Sequence, residues 1–340
     1  MPTFCRHNRF VERCPICSKT LPGAAPQPRS QRAQRAGASA SAGASTRRRR
    51  SHGDGVTVHR EARAQDDGYR CELVPGLRAS ADAERLAQEM AFSSARLLAL
   101  GAQPPELYGE IRALAAGDLE RATWMCFLTA YLCPLQTDDP FAGIRIALAR
   151  APDGLRDDHW PPDLSDIPLG PRSSHEAGRG GDTLIAYSQW VQRYGSAAGA
   201  GRDAAEGTQA LAFAGDSSWT AQRRFERIFE RLALPGLSRA ARYELLVTLG
   251  RLGLYQLLAD SLHLAGEDPA TLAAKRVFGI GDPLLLERRA AALTEAASVP
   301  IDALDLALAN WLSPRRVTAG FPASTCDEGA LERAAAALGV

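Results

Sequence analysis

The segment that decides the fold is residues 275–312, KRVFGIGDPLLLERRAAALTEAASVPIDALDLALANWL. It reads as a helix, a tight turn between Gly279 and Gly281, a second helix, a break at Pro300 and a third helix. Glycine tolerates positive φ, so this turn can leave successive N–H groups pointing outward at the start of the second helix. Such amides at a helix N-terminus suit a phosphate oxygen. The pattern therefore predicts a helical hairpin able to hold an anion.

Two aspartates, Asp302 and Asp305, follow Pro300 on the third helix. The apolar residues of this helix recur at about 100° per residue, which predicts one buried face. That face is formed by Ile301, Leu304, Leu308, Trp311 and Leu312. Asp305 falls at its edge, where a carboxylate is costly unless it is paired or functional. Asp302 falls away from the face in the first turn, where an acid complements the helix dipole.

The hairpin and the step that follows it resemble the helix-hairpin-helix DNA glycosylase superfamily. The matching residues are Gly279-Ile280-Gly281 and Pro300-Ile301-Asp302, with Asn310 eight positions after the aspartate. Together with FERIFERLALPGLSRAARYELLVTLGRLGLY (225–255), they are most similar to one branch, the alpha-glutamyl/putrescinyl thymine pyrophosphorylases, in particular clade 3. The resemblance covers about residues 80–313.

The resemblance implies an enzyme that acts on DNA and modifies a thymine-derived base. An amine would displace phosphate from an activated 5-hydroxymethylpyrimidine, with a small amine or amino acid as co-substrate. A catalytic carboxylate would deprotonate the ammonium nucleophile or stabilise positive charge at the methylene. Spacing from the hairpin favours Asp302 for this role and expected burial favours Asp305, so we treat both as catalytic candidates.

DNA contacts are expected from the hairpin and from aromatic side chains. The candidates for DNA binding are Gly279, Ile280, Gly281 and Arg276. An extruded base also needs a stacking partner. The available aromatic residues are Tyr243, Tyr255, Trp219 and Trp311, each of which is more often a core residue.

One departure from the superfamily keeps other functions open. Bifunctional glycosylases carry a lysine where this chain has Pro283, and the only lysines are Lys19 and Lys275, so Schiff-base lyase chemistry is not expected. A monofunctional glycosylase and a non-catalytic helix-hairpin-helix DNA-binding protein are alternatives. A zinc-organised interaction protein without a DNA role is a third.

Residues 1–20 predict a zinc knuckle. Cys5, His7, Cys14 and Cys17 provide four ligands of the kind that tetrahedral Zn²⁺ prefers, with no open position, so the ion would be structural. A free thiol pair and a redox Cys-x-x-Cys are the alternatives. The redox motif normally opens a helix after a strand, which this stretch does not resemble.

The segment after the knuckle is basic and of low complexity. Residues 1–65 contain thirteen Arg and Lys and three acidic residues, whereas the whole chain has a net charge of +1. Residues 21–55 are expected to form a disordered basic linker, which could contact DNA or act as a solvated tether. Alternating residues around the Asp66-Asp67-Gly68 turn predict a small hairpin or extended segment over 56–79.

From residue 80 onward the pattern is helical, so the fold class is mainly α. We expect a glycosylase-like helical domain over 80–320 and a tail helix within 321–340. Ser80 and Asp138–Asp139 are expected to cap helices, residues 151–182 to form a long loop, and residues 255–263 to continue the helical bundle. No apolar run reaches the length needed to cross a bilayer, and the N-terminus lacks a signal-peptide core, which favours a cytoplasmic protein.

Overall fold

The computed structural model describes residues 64–197 and 208–340. The four predicted zinc ligands, the basic linker and the first third of the 56–79 segment lie outside these residues. Zinc binding therefore stays a prediction. Among the described residues, no group of three or more His, Cys, Asp or Glu side chains is arranged to hold a metal ion.

The described residues form twelve α-helices. These are α1 (Ser80–Ala102), α2 (Glu106–Ala115), α3 (Leu119–Leu132), α4 (Ala142–Arg150), α5 (Gly180–Ala197), α6 (Gln209–Ala214), α7 (Ala221–Arg231), α8 (Arg239–Arg251), α9 (Pro269–Phe278), α10 (Pro283–Ala297), α11 (Ile301–Leu312) and α12 (Glu328–Leu338). No strand occurs within 64–197 or 208–340, so the prediction of a mainly α fold is confirmed.

Helix α11 is the centre of the fold. Its residues 302–310 are all buried, and α1 and α9 pack along it. A helix that is enclosed on all sides belongs to the core of a large domain. The helix that carries both candidate aspartates thus lies in the interior of the fold, between an early helix and a late one.

Side-chain caps set where several helices begin. The Ser238 hydroxyl accepts a hydrogen bond from the Ala241 N–H at 3.1 Å, as expected for an N-cap. Helix α1 differs from expectation because Ser80 is its first residue, and the Asp67 carboxylate accepts from the Ser80 N–H at 3.0 Å instead. Helix α4 begins at Ala142, and the Asp139 carboxylate accepts from the Phe141 N–H just before it at 3.2 Å.

Two irregular segments replace expected regular structure. Residues 64–79 contain the predicted turn, with the Asp66 carboxylate accepting from the Gly68 N–H at 2.9 Å, but no strand, so the hairpin expected there is not found in this part. Residues 255–263 are not helical, contrary to expectation. The Glu287 carboxylate instead holds the Leu262 and Leu264 N–H groups at 2.9 and 2.6 Å.

The two ends of the described domain pack against each other. Helix α12, in the C-terminal segment, lies against α1 and α10. The Tyr69 hydroxyl donates to the Leu338 carbonyl at 2.5 Å, which fastens the segment before α1 to the end of α12.

No helix in the described part of the chain combines the length and apolarity required to cross a membrane.

Gly76 lies directly against the predicted hairpin. Its N–H donates to the Val277 carbonyl at 2.9 Å, and a Cβ placed on it would lie 1.9 Å from the Arg276 carbonyl oxygen and 2.7 Å from the Gly279 nitrogen. These are backbone atoms, which cannot rotate away as a flexible side chain would. Only glycine therefore fits at this contact.

We expect Gly76→Ala to lower the free energy of unfolding by at least about 2 kcal/mol, because the backbone must shift to admit the methyl group. Urea unfolding followed by circular dichroism measures the change. Gly281→Ala is the matched control, since a Cβ there would meet no atom within 4 Å, and it should alter stability little. Equal stability of the two variants would contradict the packing described.

Candidate functional site

The hairpin between α9 and α10 has only part of the predicted geometry, in which both glycines could take positive φ. Gly279 ends α9 in the left-handed region with φ of 64°, whereas Gly281 does not have positive φ. Both glycines and Asp282 are exposed, and Ile280 is half-buried against the core. The Asp282 carboxylate caps α10 by accepting from the Leu285 N–H at 3.1 Å. The turn therefore presents its backbone to solvent beside one acidic cap.

Basic side chains surround this hairpin. Arg276 in the last turn of α9 and Arg288 and Arg289 on α10 are exposed, and Arg289 donates to the Glu72 carbonyl at 2.7 Å. Leu284 in the first turn of α10 is 75% exposed. The arginines favour an anion at this surface, while Asp282 opposes one at the helix N-terminus itself.

Asp302 is buried rather than turned toward solvent. The helical wheel expected it to lie off the apolar face, but α11 is enclosed on every side and Asp302 is 5% exposed. Arg251, the last residue of α8, binds it with two hydrogen bonds, from Nε at 2.8 Å and from Nη2 at 2.6 Å. This bidentate pair explains how the carboxylate is tolerated in the core.

Asp305 is 2% exposed and has two arginine partners. Arg172 donates to it at 2.8 Å, and Arg239, the first residue of α8, donates to its other oxygen. Burial alone would raise the pKa of Asp305, but the guanidinium groups of Arg239 and Arg172 outweigh burial and lower this pKa below its ordinary value of 3.8. The Asp305 carboxylate is therefore ionised at neutral pH.

Arg239 joins this pair to a third acid. The same nitrogen that reaches Asp305 donates to Asp268 at 2.9 Å, and another donates to the Leu262 carbonyl at 2.8 Å. Asp268 is the N-cap of α9, where it accepts from the Ala270 N–H at 3.2 Å. One guanidinium thus links the start of α8, the start of α9 and the middle of α11.

A further buried ion pair lies near the aspartates. Arg96 of α1 is 1% exposed and donates to both oxygens of Glu244 on α8, at 2.6 and 3.2 Å. Sequence reasoning missed both residues. Arg96 lies one turn after Phe92 on the apolar face of α1, and an arginine at such a position signals a buried partner.

A small cavity adjoins the cluster between α3 and α8. Its volume of about 20 Å³ holds roughly one water molecule. Arg172, Glu244, Tyr108 and Cys133 line it. The cavity brings a cation and an anion together next to Asp305, but a pyrimidine base enters only if its walls move.

The wall that could move is the segment carrying Arg172. Arg172 comes from the stretch expected to form a long loop over 151–182, which ends at α5 in the structure. The next residues attach this loop to the helices. Ser174 donates its N–H to the Tyr131 carbonyl at 2.8 Å, and its hydroxyl accepts from the Ser238 N–H at 2.6 Å. The Gly170 N–H also donates to the Leu132 carbonyl at 3.0 Å, so contacts on both sides of Arg172 keep the cavity closed.

The four stacking candidates are spread over the fold. Tyr243 and Tyr255 are core residues whose hydroxyls bond the Ser261 carbonyl at 3.1 Å and the Thr123 hydroxyl at 2.6 Å, so neither offers a ring face to a base. Trp219 is half-buried, with the Arg231 guanidinium 4.9 Å from its ring centroid. Trp311 is half-buried at the end of α11.

The hairpin and the acid cluster lie at opposite ends of α9. Asp268 caps the start of this helix beside Asp305, and Gly279 terminates it. Ten helical residues separate the two, which corresponds to about 15 Å. A strand bound at the hairpin would therefore have to continue along α9 to reach the carboxylates.

Comparison of the chain with protein-family models, curated proteins and solved structures gives no match.

We expect Asp305→Asn to lower the free energy of unfolding by about 3 kcal/mol at pH 7, because Arg172 and Arg239 would lose a buried partner charge. A carboxyl with a lowered pKa stabilises the fold above its unfolded value of 3.8 and loses that effect as the pH falls through the lowered value. The difference between wild type and variant should therefore narrow in acid.

Urea unfolding at a series of pH values tests this expectation. Asp158→Asn is the matched control, because Asp158 is an exposed loop residue of the same type. The ion pairs are not formed if Asp305→Asn is as stable as the wild type at pH 7. The same conclusion follows if the difference in free energy of unfolding between wild type and variant is as large in acid as at pH 7.

Proposed function

We propose that the protein acts on DNA as an enzyme that modifies a thymine-derived base. The observation that carries the proposal is the exposed Gly279–Gly281 turn between α9 and α10, with arginines around it. A duplex presents regularly spaced phosphates, and backbone N–H groups and arginines at a helix end bind them without reading sequence. The hairpin would fix the register of the DNA on the protein.

The proposed chemistry is transfer of an amine onto the 5-methylene carbon of an activated 5-hydroxymethylpyrimidine. The amine nitrogen forms a bond to this carbon, the carbon–oxygen bond to phosphate breaks, and phosphate leaves with the electron pair. A carboxylate accepts the proton lost by the ammonium nucleophile. Asp305 is the stronger candidate for this role, because Arg172 and the cavity adjoin it.

Access to Asp305 requires the Arg172 segment to open. Arg172 would then be released from the carboxylate and become available to the phosphate leaving group, for which a guanidinium is well suited. Removal of an arginine also raises the basicity of the freed carboxylate, which favours proton acceptance. The same movement would therefore admit substrate and prepare the base.

A structural zinc ion bound by Cys5, His7, Cys14 and Cys17 belongs to this proposal as a separate element. The basic linker that follows would add sequence-independent attraction to DNA. Neither is needed for the chemistry at Asp305.

A non-catalytic DNA-binding protein is the second candidate. It is favoured by the ion pairs, since both aspartates are enclosed and held by arginines, as structural carboxylates are. The cavity beside Asp305 also has room for only one water molecule. On this reading the cluster organises the core while the hairpin alone binds DNA.

Duplex DNA binding tests the part common to both candidates. We expect binding that weakens steeply with salt, and we expect Gly281→Glu to weaken it about tenfold, because an added carboxylate at the turn repels the phosphate. Fluorescence anisotropy of a labelled duplex measures this. Gly178→Glu, at another glycine where a Cβ meets no atom within 4 Å, is the control. Binding unaffected by Gly281→Glu would remove the hairpin from the interface.

Nucleoside mass spectrometry separates the enzyme from the binder. DNA containing 5-hydroxymethyluracil or its phosphate ester is incubated with the protein and a mixture of amines, then digested. An enzyme should yield a nucleoside whose mass corresponds to loss of the phosphate and gain of the amine. Asp305→Asn should lower the yield at least about 100-fold if its carboxylate is the base. Asp302→Asn is compared with it, and an unmodified digest from wild-type protein favours the non-catalytic candidate.

A further inference from the structure

A cleft separate from the cavity at Asp305 lies beside the hairpin. It has a volume of about 560 Å³ and lies between the segment before α1, the first turns of α1, and the ends of α9 and α11. Its chemically distinctive lining residues are Asp66, Arg78, Asp82, Arg85, Arg276 and Trp311. The volume falls in the range typical of small-molecule sites, and the lining combines an aromatic ring with charges of both signs.

Trp311 provides a fixed ring in this cleft. Its indole Nε1–H donates to the Asp82 carbonyl at 2.9 Å, which holds the ring orientation while the side chain stays half-buried. Arg85 of α1 also donates to the Asn310 carbonyl at 3.2 Å and to the Ser313 carbonyl, which fixes the end of α11 on either side of Trp311. An immobilised indole of this kind is a platform on which a nucleic-acid base stacks.

Arg78 provides a cation at the same cleft. It is exposed, and its guanidinium has no hydrogen-bond or ion-pair partner in the described parts of the chain. Arginine binds phosphate bidentately and remains charged at any physiological pH. An aromatic platform and an uncommitted guanidinium in one cleft match the two ends of a nucleotide.

The position of the cleft connects it to the hairpin. Gly76, which contacts Gly279 and bonds Val277, lines the cleft, and so does Arg276 in the last turn of α9. A strand whose phosphate lies on the hairpin turn would therefore pass the mouth of the cleft. A neighbouring base that is unpaired could enter it.

We propose that this cleft binds one unpaired nucleotide of the DNA strand held by the hairpin, with its base on Trp311 and its phosphate on Arg78. The inference deepens the proposed function and rests on it for the DNA strand. The nucleotide bound here is distinct from any base at Asp305, because the two sites lie at opposite ends of α9.

Binding of two duplexes tests the proposal. One duplex is blunt and the other carries a short unpaired thymidine overhang. We expect wild-type protein to bind the overhang duplex about tenfold more tightly, as one base-stacking contact would provide. Arg78→Ala and Trp311→Leu should abolish that preference. Arg70→Ala, an exposed arginine bonded only to the neighbouring Tyr69 carbonyl, should retain it.

The outcomes distinguish this proposal from the function on which it rests. Gly281→Glu should weaken both duplexes equally and leave the preference intact. Duplex binding with no preference for the overhang, or a preference that survives Arg78→Ala, overturns the proposal of nucleotide binding in the cleft but leaves DNA binding by the hairpin standing. Arg78→Ala keeps the test valid if Trp311→Leu does not fold.

A titration with thymidine 5′-monophosphate examines the cleft without a duplex. Protein labelled with 5-fluorotryptophan should show a shifted fluorine resonance for Trp311, assigned with Trp311→Phe. Thymidine should give a weaker shift, and inorganic phosphate should leave the signal unchanged if the base and phosphate are both recognised. Absence of any shift with the mononucleotide overturns the proposal even if the duplexes bind.

Discussion

The fold depends on keeping two carboxylates ionised inside a helical core. An unpaired buried charge costs several kcal/mol, so each aspartate of α11 must be matched by a cation from another element. Helix α8 supplies one from each end, Arg239 to Asp305 and Arg251 to Asp302. The same helix directs Glu244 to Arg96 of α1. Charge pairing therefore determines how α1, α8 and α11 fit together, in addition to apolar packing.

This arrangement separates the part of the molecule that could hold DNA from the part that could do chemistry. The hairpin is exposed at one end of α9, and the acid cluster is enclosed at the other. Arg172 lies between Asp305 and the adjacent cavity, on a segment whose hydrogen bonds on both sides of Arg172 attach it to α3 and to the start of α8. If the protein is an enzyme, its resting state is a closed one, and opening this segment has to precede the reaction.

Sequence patterns predicted the local structure of the chain well, but they predicted poorly which side chains are buried. The positions of α10 and α11 and the turn at Gly279 follow from periodicity, the break at Pro300 and glycine, all of which are local properties. The helical periodicity of α11 placed Asp302 outside the buried face because it describes one helix in isolation. Helices distant in sequence enclose α11 and bury this residue. Arg172 and Glu244 were missed for the same reason. The irregular course of residues 255–263 depends on Glu287, which no local pattern reveals.

Because Asp268 and Asp305 share the guanidinium of Arg239, substitutions at these positions during evolution are coupled. Loss of Asp305 alone would leave the Arg172 and Arg239 guanidinium groups with only Asp268 as a counter-charge, whereas simultaneous replacement of Arg172, Arg239, Asp268 and Asp305 by apolar residues of similar volume leaves no unpaired charge. The tolerated changes at these positions are therefore concerted ones. Homologous chains should vary there as a set, with an all-charged and an all-apolar version of the core and few intermediates between them.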